Sequence, residues 1–159
     1  MRRIDQSLLA EVDLDEVNQA LDAWVWRIGK RWSALAMSAA GDLFLTDASG
    51  RVARLDTGSG QLEMVANSMS DFEAACGNAD NVRDWFLRPV VEQLRASGHV
   101  LARKQCYGFT ILPVFKEGSY AAHNRFMLDA IEHLRVTADL HRQIDEHGDG
   151  DRIRLSVVP

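Results

Sequence analysis

Residues 104–144 read KQCYGFTILPVFKEGSYAAHNRFMLDAIEHLRVTADLHRQI, and the periodicity of this stretch decides the fold. From Gln105 to Val114, aromatic or branched apolar residues alternate with small or polar ones, which is typical of a half-buried strand. Pro113 cannot donate a ladder hydrogen bond, so the strand is expected to be an edge strand, to be bulged or to end there. A turn is expected at residues 116–119. From Met127 to Ile144, apolar residues recur at spacings of two to four, which predicts a helix.

The chain begins with an amphipathic segment. Asp13 is placed to cap a helix that starts near Leu14, and an apolar stripe at helical spacing follows. The stripe consists of Val17, Leu21, Trp24, Val25 and Ile28. A stripe of this kind is expected to pack on a sheet. Trp26 lies off the stripe and is therefore a candidate exposed anchor for a partner, because tryptophan is enriched at interface hot spots.

Residues 34–66 change to a two-residue period that is interrupted by turns containing glycine. The turns fall at residues 41–42, 48–50 and 57–60. Short strands separated in this way predict an antiparallel meander. The sequence TGSG at 57–60 is not a phosphate-binding loop, because it lacks the G-K-[ST] ending and no helix follows it at once.

Short helices are predicted after the meander. Ser68 or Ser70 is placed to cap the first, which is expected to end at Gly77, and Asn78 or Asp80 to cap the second. Pro89 lies inside the apolar pattern of the second helix and predicts a kink or a break. Beyond the last helix, residues 145–151 are predicted to form an acidic loop and residues 152–157 a final strand.

Length and composition are those of an ordinary globular protein. The 159 residues are 47% hydrophobic and 26% charged, which predicts one domain spanning residues 1–159. The elements together predict an α+β fold in which an antiparallel sheet is packed on one side by helices, with an amphipathic N-terminal helix. No apolar run approaches the roughly 20 residues that span a bilayer. Because the basic pair near Met1 is not followed by an apolar segment, a cytoplasmic location is expected.

The charge balance bears on the choice of partner. The formal net charge is −5, from 18 basic and 23 acidic side chains. A chain of this sign has no general attraction to phosphate backbones, so neither nucleic acid nor a membrane is the expected partner. It is suited to a basic protein partner, with electrostatic steering raising the association rate. The alternative is that mild acidity only favours solubility.

Side chains that carry chemistry do not form a recognisable catalytic or metal-binding motif. Cys106 lies in an apolar strand and is expected to be a buried structural thiol, and Cys76 is expected to be free. His133 and His141 are eight positions apart, too far on one helix to chelate a single metal. We therefore predict no enzyme activity, no cofactor and no metal. A small enzyme with dispersed catalytic residues remains an alternative.

Several of these residues also carry a resemblance to a known family. Residues 105–109 read QCYGF, residues 141–144 read HRQI, and residues 41–60 read GDLFLTDASGRVARLDTGSG. Between and around these blocks stand Pro113, Gly118, Asn124, Asp129 and His133. In this order and spacing, roughly from residue 37 to residue 155, the chain resembles the C-terminal domain family of type VI secretion immunity proteins of the DNase-immunity type. It departs from the family's usual double glycine after the proline, so the turn at residues 116–118 is expected to differ.

The resemblance implies a cytoplasmic antidote that covers a cognate secreted toxin. A nuclease or another nucleic-acid- or nucleotide-active toxin with a basic active-site groove is the expected partner, because acidic side chains can stand in for its phosphate. The candidate contact residues are Trp26, Asp42, Asp47, Asp56, Asp145, Glu146 and Asp149. The carboxylates among them are equally well explained as solvated turn residues. A second interpretation is a general interaction scaffold of the broad Smi1/Knr4-like kind, whose partner is a cellular protein.

Overall fold

Four antiparallel strands form the larger sheet of the computed structural model, which describes residues 4–147. The strands are β1 (Ser33–Met37), β2 (Leu43–Thr46), β3 (Val52–Asp56) and β4 (Gln61–Ala66), hydrogen-bonded in that order. The chain turns back between consecutive strands at the three glycine-bearing positions that the sequence predicts. The predicted meander is therefore confirmed.

The N-terminal helix is confirmed, with one irregularity. Helices α1 (Leu14–Ala20) and α2 (Val25–Ile28) are joined by a 3-10 turn at Leu21–Trp24. The Asp13 carboxylate accepts a hydrogen bond from the Asp15 N–H and caps α1 as predicted. The stripe faces the interior, and the buried indole of Trp24 donates to the carbonyl oxygen of Leu134 at 2.9 Å. This bond fixes the N-terminal segment to the last helix of the chain.

Three short helices follow the meander, namely α3 (Met69–Ala75), α4 (Ala79–Phe86) and α5 (Arg88–Ala96). Ser68 caps α3 and Asn78 caps α4, each through a side chain that accepts backbone N–H bonds. The break predicted near Pro89 lies at Leu87, whose φ of 51° is left-handed. Pro89 falls in the first turn of α5. Backbone N–H groups there have no partner within the helix, so the absence of one in proline costs no hydrogen bond.

The remaining elements correct the interpretation of residues 104–144. Strand β5 (Gln105–Phe109) is shorter than predicted and pairs with β6 (Arg125–Asp129) in a second, two-stranded sheet. Helix α6 (Ala130–Asp145) begins after β6, so the prediction that places Met127 in the helix is wrong. Met127 instead stands opposite Tyr107 in the ladder. The Asp129 carboxylate accepts the Glu132 N–H and sets the start of α6.

The α+β class with an antiparallel sheet is confirmed, but helices cover both faces of the larger sheet rather than one. Leu43 and Leu45 pack in the same core as α1 and α6. Phe44, which points the other way, packs against Phe72 of α3 and Phe86 of α4. Three consecutive apolar residues in β2 supply both cores, a pattern typical of strands buried on both faces.

Within residues 4–147, none of the helices combines the length and the apolar character needed to cross a bilayer. The predicted final strand at 152–157 and most of the predicted acidic loop before it lie outside the described residues.

Candidate partner-binding surface

A buried polar cluster lies where the β1–β2 and β3–β4 turns meet. Asp42 is only 1% exposed, and its Oδ2 accepts a hydrogen bond from Arg54 Nη2 at 2.7 Å. Its Oδ1 accepts the Thr57 backbone N–H at 3.0 Å. Burial alone would lower the pKa of Arg54, but the carboxylates of Asp42 and Asp56 raise it above its ordinary value. Asp42 was predicted as a partner contact on a turn, and the structure places it in the interior instead because it neutralises Arg54.

His133 joins this cluster from α6. Its Nε2 lies 2.9 Å from Thr57 Oγ1 and 3.1 Å from the Gly41 carbonyl oxygen. The tautomer with the proton on Nε2 donates to this carbonyl, which can only accept. Burial lowers the pKa of His133 to about 4, so the ring is neutral at pH 7. Gly41 has a φ of 97°, and a Cβ there would lie 2.6 Å from His133 Nε2, so this contact requires glycine.

His141 holds the same turn from two helical turns further along α6. Its Nε2 lies 2.8 Å from the Thr57 carbonyl oxygen. The two histidines, which looked like isolated residues in the sequence, therefore both bind Thr57, one at its hydroxyl and one at its carbonyl. Their arrangement anchors the β3–β4 turn to α6.

The predicted acidic contacts at the other turns are engaged in local hydrogen bonds. The Asp47 carboxylate closes the β2–β3 turn, where hydrogen bonds from Ser49 and Arg51 lower its pKa to about 2. Asp56 Oδ2 accepts the Tyr120 hydroxyl at 2.8 Å. Asp47 and Asp56 stand at opposite ends of β3, roughly 15 Å apart for a five-residue strand. The structure therefore does not bring them into one surface.

Asp145 and Trp26 do lie near each other, at the end of the molecule where α2, α6 and the β3–β4 turn meet. Arg27 donates from Nε to the Gly60 carbonyl at 2.9 Å, and its Nη1 is 3.7 Å from Asp145 Oδ1. Trp26 is half-buried rather than fully exposed, and its buried Nε1 has no hydrogen-bond partner among residues 4–147. Glu146 is exposed beside Asp145. Asp149 lies outside the described residues.

Sequence reasoning missed an apolar groove beside α6. The groove has a volume of about 270 Å³, and its two walls are the segment that follows β5 and one side of α6, with β6 between them. We call it the α6 groove. Its apolar lining consists of Phe109, Ile111, Leu112, Phe115, Phe126, Leu128, Val136 and Leu140. Ile111 and Phe126 are 39% and 46% exposed, and neighbouring Val114 is 44% exposed.

The outer wall of the groove is fixed by Asn124. Its Oδ1 accepts the Ile111 N–H at 3.0 Å, and its Nδ2 donates to the carbonyls of Ile111 and Ser119, each at 2.7 Å. Gly118 packs against the same wall so closely that an added Cβ would overlap the Leu112 carbonyl. Both residues are among those on which the family resemblance is based, and in the structure both determine the shape of this wall.

Arg125 connects the groove to the buried cluster. Its guanidinium lies over the Phe109 ring, 3.9 Å from the ring centre, and Nη1 donates to the Ala40 carbonyl at 2.9 Å. Nε donates to the Tyr120 carbonyl at 3.2 Å. Burial lowers the pKa of Arg125 to about 10, which still leaves it charged at pH 7. The floor of the groove is thus held to the β1–β2 turn.

Comparison with known families bears on the same region. Residues 66–141 match the model of the family described as T6SS immunity protein Tdi1, C-terminal. The predicted resemblance to type VI secretion immunity proteins is confirmed. The match is narrower than the range from residue 37 to residue 155 over which the sequence showed a resemblance. It takes in α3 to α5, the second sheet and every residue that lines the α6 groove.

A solved structure has a similar fold. It is the crystal structure of Atu4351 from Agrobacterium tumefaciens, with a TM-score of 0.61 and 14% sequence identity, covering 84% of this chain and 67% of that one. At this identity the likeness concerns the fold alone. No curated protein matches the chain.

Proposed function

We propose that this protein is a cytoplasmic immunity protein that binds a cognate secreted antibacterial toxin and occludes its active site. The observation that carries the proposal is the match of residues 66–141 to the Tdi1 C-terminal family of type VI secretion immunity proteins. We further propose that the toxin acts on nucleic acid or nucleotides. The net charge of −5 supports this, because enzymes that bind phosphates present a basic groove to which an acidic protein is attracted.

Inhibition by covering, without bond-making chemistry, is supported by the state of the titratable groups. The buried side chains of Asp42, His133 and His141 are each engaged with backbone or side-chain groups that hold turns in place. The raised pKa of the Cys106 thiol, caused by burial, leaves it protonated and unreactive at pH 7. The positions of these side chains are accounted for by the packing and the hydrogen bonds that they make within the fold.

Of the acidic side chains predicted as contacts, Asp145 and Glu146 are the ones that we retain as direct contacts. Both are exposed at the end of α6, where they are accessible to lysine or arginine side chains of the toxin. We do not retain Asp42 as a direct contact, because its side chain is buried. Asp47 and Asp56 are occupied by hydrogen bonds within their own turns.

Co-expression tests the proposal. Cells would express the protein encoded by the neighbouring reading frame, either alone or together with this chain, and growth and co-elution would be measured. We expect that the neighbouring protein alone stops growth, that this chain restores it, and that the two elute together. If the two co-elute but the neighbouring protein is harmless alone, the partner is a cellular protein, as the scaffold interpretation predicts. If growth stops and this chain neither binds nor rescues, the immunity proposal fails for that neighbour.

A further inference from the structure

We infer that the α6 groove is a binding site for an aromatic side chain that carries a hydrogen-bond donor, tyrosine or tryptophan, supplied by a protein partner. The donor, a phenol hydroxyl or an indole N–H, pairs with His133 Nδ1 at the base of the groove. With the toxin as that partner, the inference rests on the proposed function and deepens it, because it gives the site the chemistry of its ligand.

Two polar side chains of α6, His133 and Thr137, line the groove together with its apolar residues. They are 2% and 4% exposed. The His133 tautomer with the proton on Nε2 donates to the Gly41 carbonyl at 3.1 Å, and the Thr137 hydroxyl donates to the His133 carbonyl at 2.7 Å. Both protons are thus used within the fold. These two side chains offer a ligand lone pairs, which accept a hydrogen bond and do not donate one.

The geometry at Nε2 favours the tautomer that leaves a lone pair on Nδ1. A proton on Nδ1 instead would set the lone pair of Nε2 against those of the Gly41 carbonyl oxygen, 3.1 Å away. In the favoured tautomer the Thr57 hydroxyl also donates to this oxygen, at 2.9 Å. Neither the ring N–H nor the hydroxyl is then left without an acceptor.

His133 Nδ1 has no hydrogen-bond partner within residues 4–147, yet it is not sealed off. The side-chain nitrogens of these residues that are both inaccessible and unpartnered are Trp26 Nε1 and Arg125 Nη2. A Cβ added at Gly108 would lie 3.2 Å from Nδ1 and 2.5 Å from Leu128 Cδ2, so Nδ1 stands beside Leu128. Leu128 and His133 both line the groove, and a ligand therefore reaches Nδ1 from the groove.

The rest of the lining selects an apolar ring that carries the donor. The volume of about 270 Å³, enclosed by aromatic and aliphatic side chains, accommodates one aromatic side chain. Tyrosine and tryptophan combine an apolar body with one donor and are enriched at interfaces. Phenylalanine or leucine would leave Nδ1 without a partner, and a carboxylate or phosphate would bring a second acceptor toward it.

The rim of the groove indicates that a protein, not a free small molecule, supplies this ring. Small-molecule sites are typically about 300–1,000 Å³ and enclose most of their ligand. The α6 groove is smaller, and Ile111, Val114 and Phe126 around it are 39%, 44% and 46% exposed. A side chain on a protein surface fills the depression while the residues beside it cover the apolar rim.

The groove is also preformed. Asn124 makes three hydrogen bonds that close its outer wall, and Arg125 fixes its floor to the Ala40 carbonyl. A site held in this way has little side-chain and loop freedom to lose on binding, and this favours affinity.

The first experiment compares two small aromatic probes of similar size. 4-Methylphenol reproduces the tyrosine side chain, whereas 4-fluorotoluene has fluorine in place of the hydroxyl and cannot donate. Each is titrated into the full chain, and NMR follows the methyl signals of Val136 and Leu140 and the ¹⁵N signal of His133 Nδ1. We expect 4-methylphenol to bind several-fold more tightly and to move the Nδ1 signal, and 4-fluorotoluene to move the methyl signals alone.

Three results of this titration would overturn the inference. They are equal affinities for the two probes, no binding of 4-methylphenol, and a ¹⁵N signal that shows a proton on Nδ1 in the free protein.

Three variants locate the binding of 4-methylphenol. Val136→Trp fills the groove from a half-buried position on α6, and Phe126→Ser removes part of its apolar rim. Met64→Ser is the matched control on β4, since Met64 and Phe126 are both 46% exposed. We expect binding to be lost, weakened and unchanged in this order, with thermal unfolding as a check on folding. Val136→Trp keeps the test decisive if Phe126→Ser unfolds, and undiminished binding to folded Val136→Trp would place the probe elsewhere.

The toxin encoded by the neighbouring reading frame is the probe in the third experiment. We expect Val136→Trp and Phe126→Ser to weaken its binding by about tenfold or more and Met64→Ser to leave it unchanged. Each exposed tyrosine and tryptophan of the toxin is then replaced by phenylalanine. One of these replacements should weaken binding to the wild type several-fold and have no further effect on binding to Val136→Trp, because the same contact is already lost.

The outcomes separate this inference from the proposed function. If wild-type protein does not bind the toxin, the proposed function fails and the toxin is not the source of the ring, while the titration still decides the ligand chemistry of the groove. If wild-type protein binds but folded Val136→Trp and Phe126→Ser bind equally well, only the inference is overturned. It is overturned as well if Val136→Trp converts a dimer of the wild type to a monomer with unchanged toxin binding, because the groove then holds a second copy.

Discussion

Two regions beside α6, the buried polar cluster around Thr57 and the α6 groove, show how differently polar and apolar groups are used in this protein. In the cluster, His133 and His141 are buried and bound to Thr57 and Gly41, and the neighbouring Asp42 is paired with Arg54. In the groove, Val136 and Leu140 line an apolar depression whose outer edge includes exposed Phe126. His133 also lines the groove, so the two regions meet at this residue. The titratable groups of the cluster hold the turns in place, whereas part of the apolar surface of the groove is open to solvent.

The largest expected effect breaks the polar side. Asp42→Ala leaves the Arg54 guanidinium buried without its carboxylate, and we expect the free energy of unfolding in urea to fall by about 3–5 kcal/mol. The double variant Asp42→Ala with Arg54→Met removes the unpaired charge and should regain part of this loss. If the single variant loses less than about 1 kcal/mol, the Asp42–Arg54 pair is not the structural element that we describe.

The next effect is a dependence on pH. The folded pKa of His133, about 4, is below its unfolded value of about 6.5, so the unfolded chain binds the proton more readily between these values. Stability from neutral His133 is therefore fully present above pH 6.5 and is lost as pH falls toward 4. We expect a loss of up to about 3 kcal/mol over this window, measured by urea unfolding. Burial also lowers the pKa of His141, so His141 acts in the same direction.

The control for this prediction is His133→Asn, which cannot titrate. This variant will be less stable at pH 7, but its stability should fall less steeply between pH 6.5 and pH 4 than that of the wild type. Equal slopes for the two proteins would show that His133 is not the titrating group.

A smaller effect tests the fit between Gly41 and His133. Gly41→Ala and Gly50→Ala both place a Cβ on a left-handed residue, with φ of 97° and 86°. Only at Gly41 does that Cβ meet a neighbour, His133 Nε2 at 2.6 Å, whereas nothing lies within 4 Å at Gly50. We expect thermal unfolding to show a loss of about 1 kcal/mol at Gly50 and about 2 kcal/mol or more at Gly41. Equal losses would mean that the ring moves aside freely.

The smallest expected effect sharpens the apolar side of the comparison. Because Phe126 is about half exposed, Phe126→Ser should lower the free energy of unfolding by about 1 kcal/mol, far less than Asp42→Ala. Urea unfolding of the two variants side by side measures the difference. A loss of about 3 kcal/mol or more at Phe126 would mean that its ring contributes to the core rather than to the exposed edge of the groove.

Much of the fold could be predicted because it is encoded locally. The Ser68 and Asn78 caps, the glycine turns of the meander and the stripe on the N-terminal helix each depend on residues close in the chain. Strand β6 was missed because Met127, Ile131 and Leu134 are also spaced as in a helix. The segment is a strand because it pairs with β5, about 20 residues earlier in the chain. Local sequence patterns do not indicate such long-range pairing.

The candidate site was harder to predict for the same reason. Asp42 looks like an ordinary turn carboxylate, and its burial follows from Arg54 on the neighbouring strand. One signal was present, since Arg54 interrupts an otherwise apolar strand between Ala53 and Leu55 and requires a counter-ion if buried. The groove had a signal too. Ile111 and Val114 flank Pro113 just after a strand. Apolar residues at such a place are not held in a sheet, so they either pack against another element or remain exposed to solvent.

The indole bond from Trp24 to the Leu134 carbonyl has a practical consequence for anyone who prepares fragments of this protein. The segment 66–141 that the family model recognises does not contain Trp24, nor Leu43 and Leu45, against which α6 is buried. Recombinant material cut at those boundaries would expose the inner surface of α6 to water and aggregate. The unit to clone for crystallisation or inhibition assays is the whole chain.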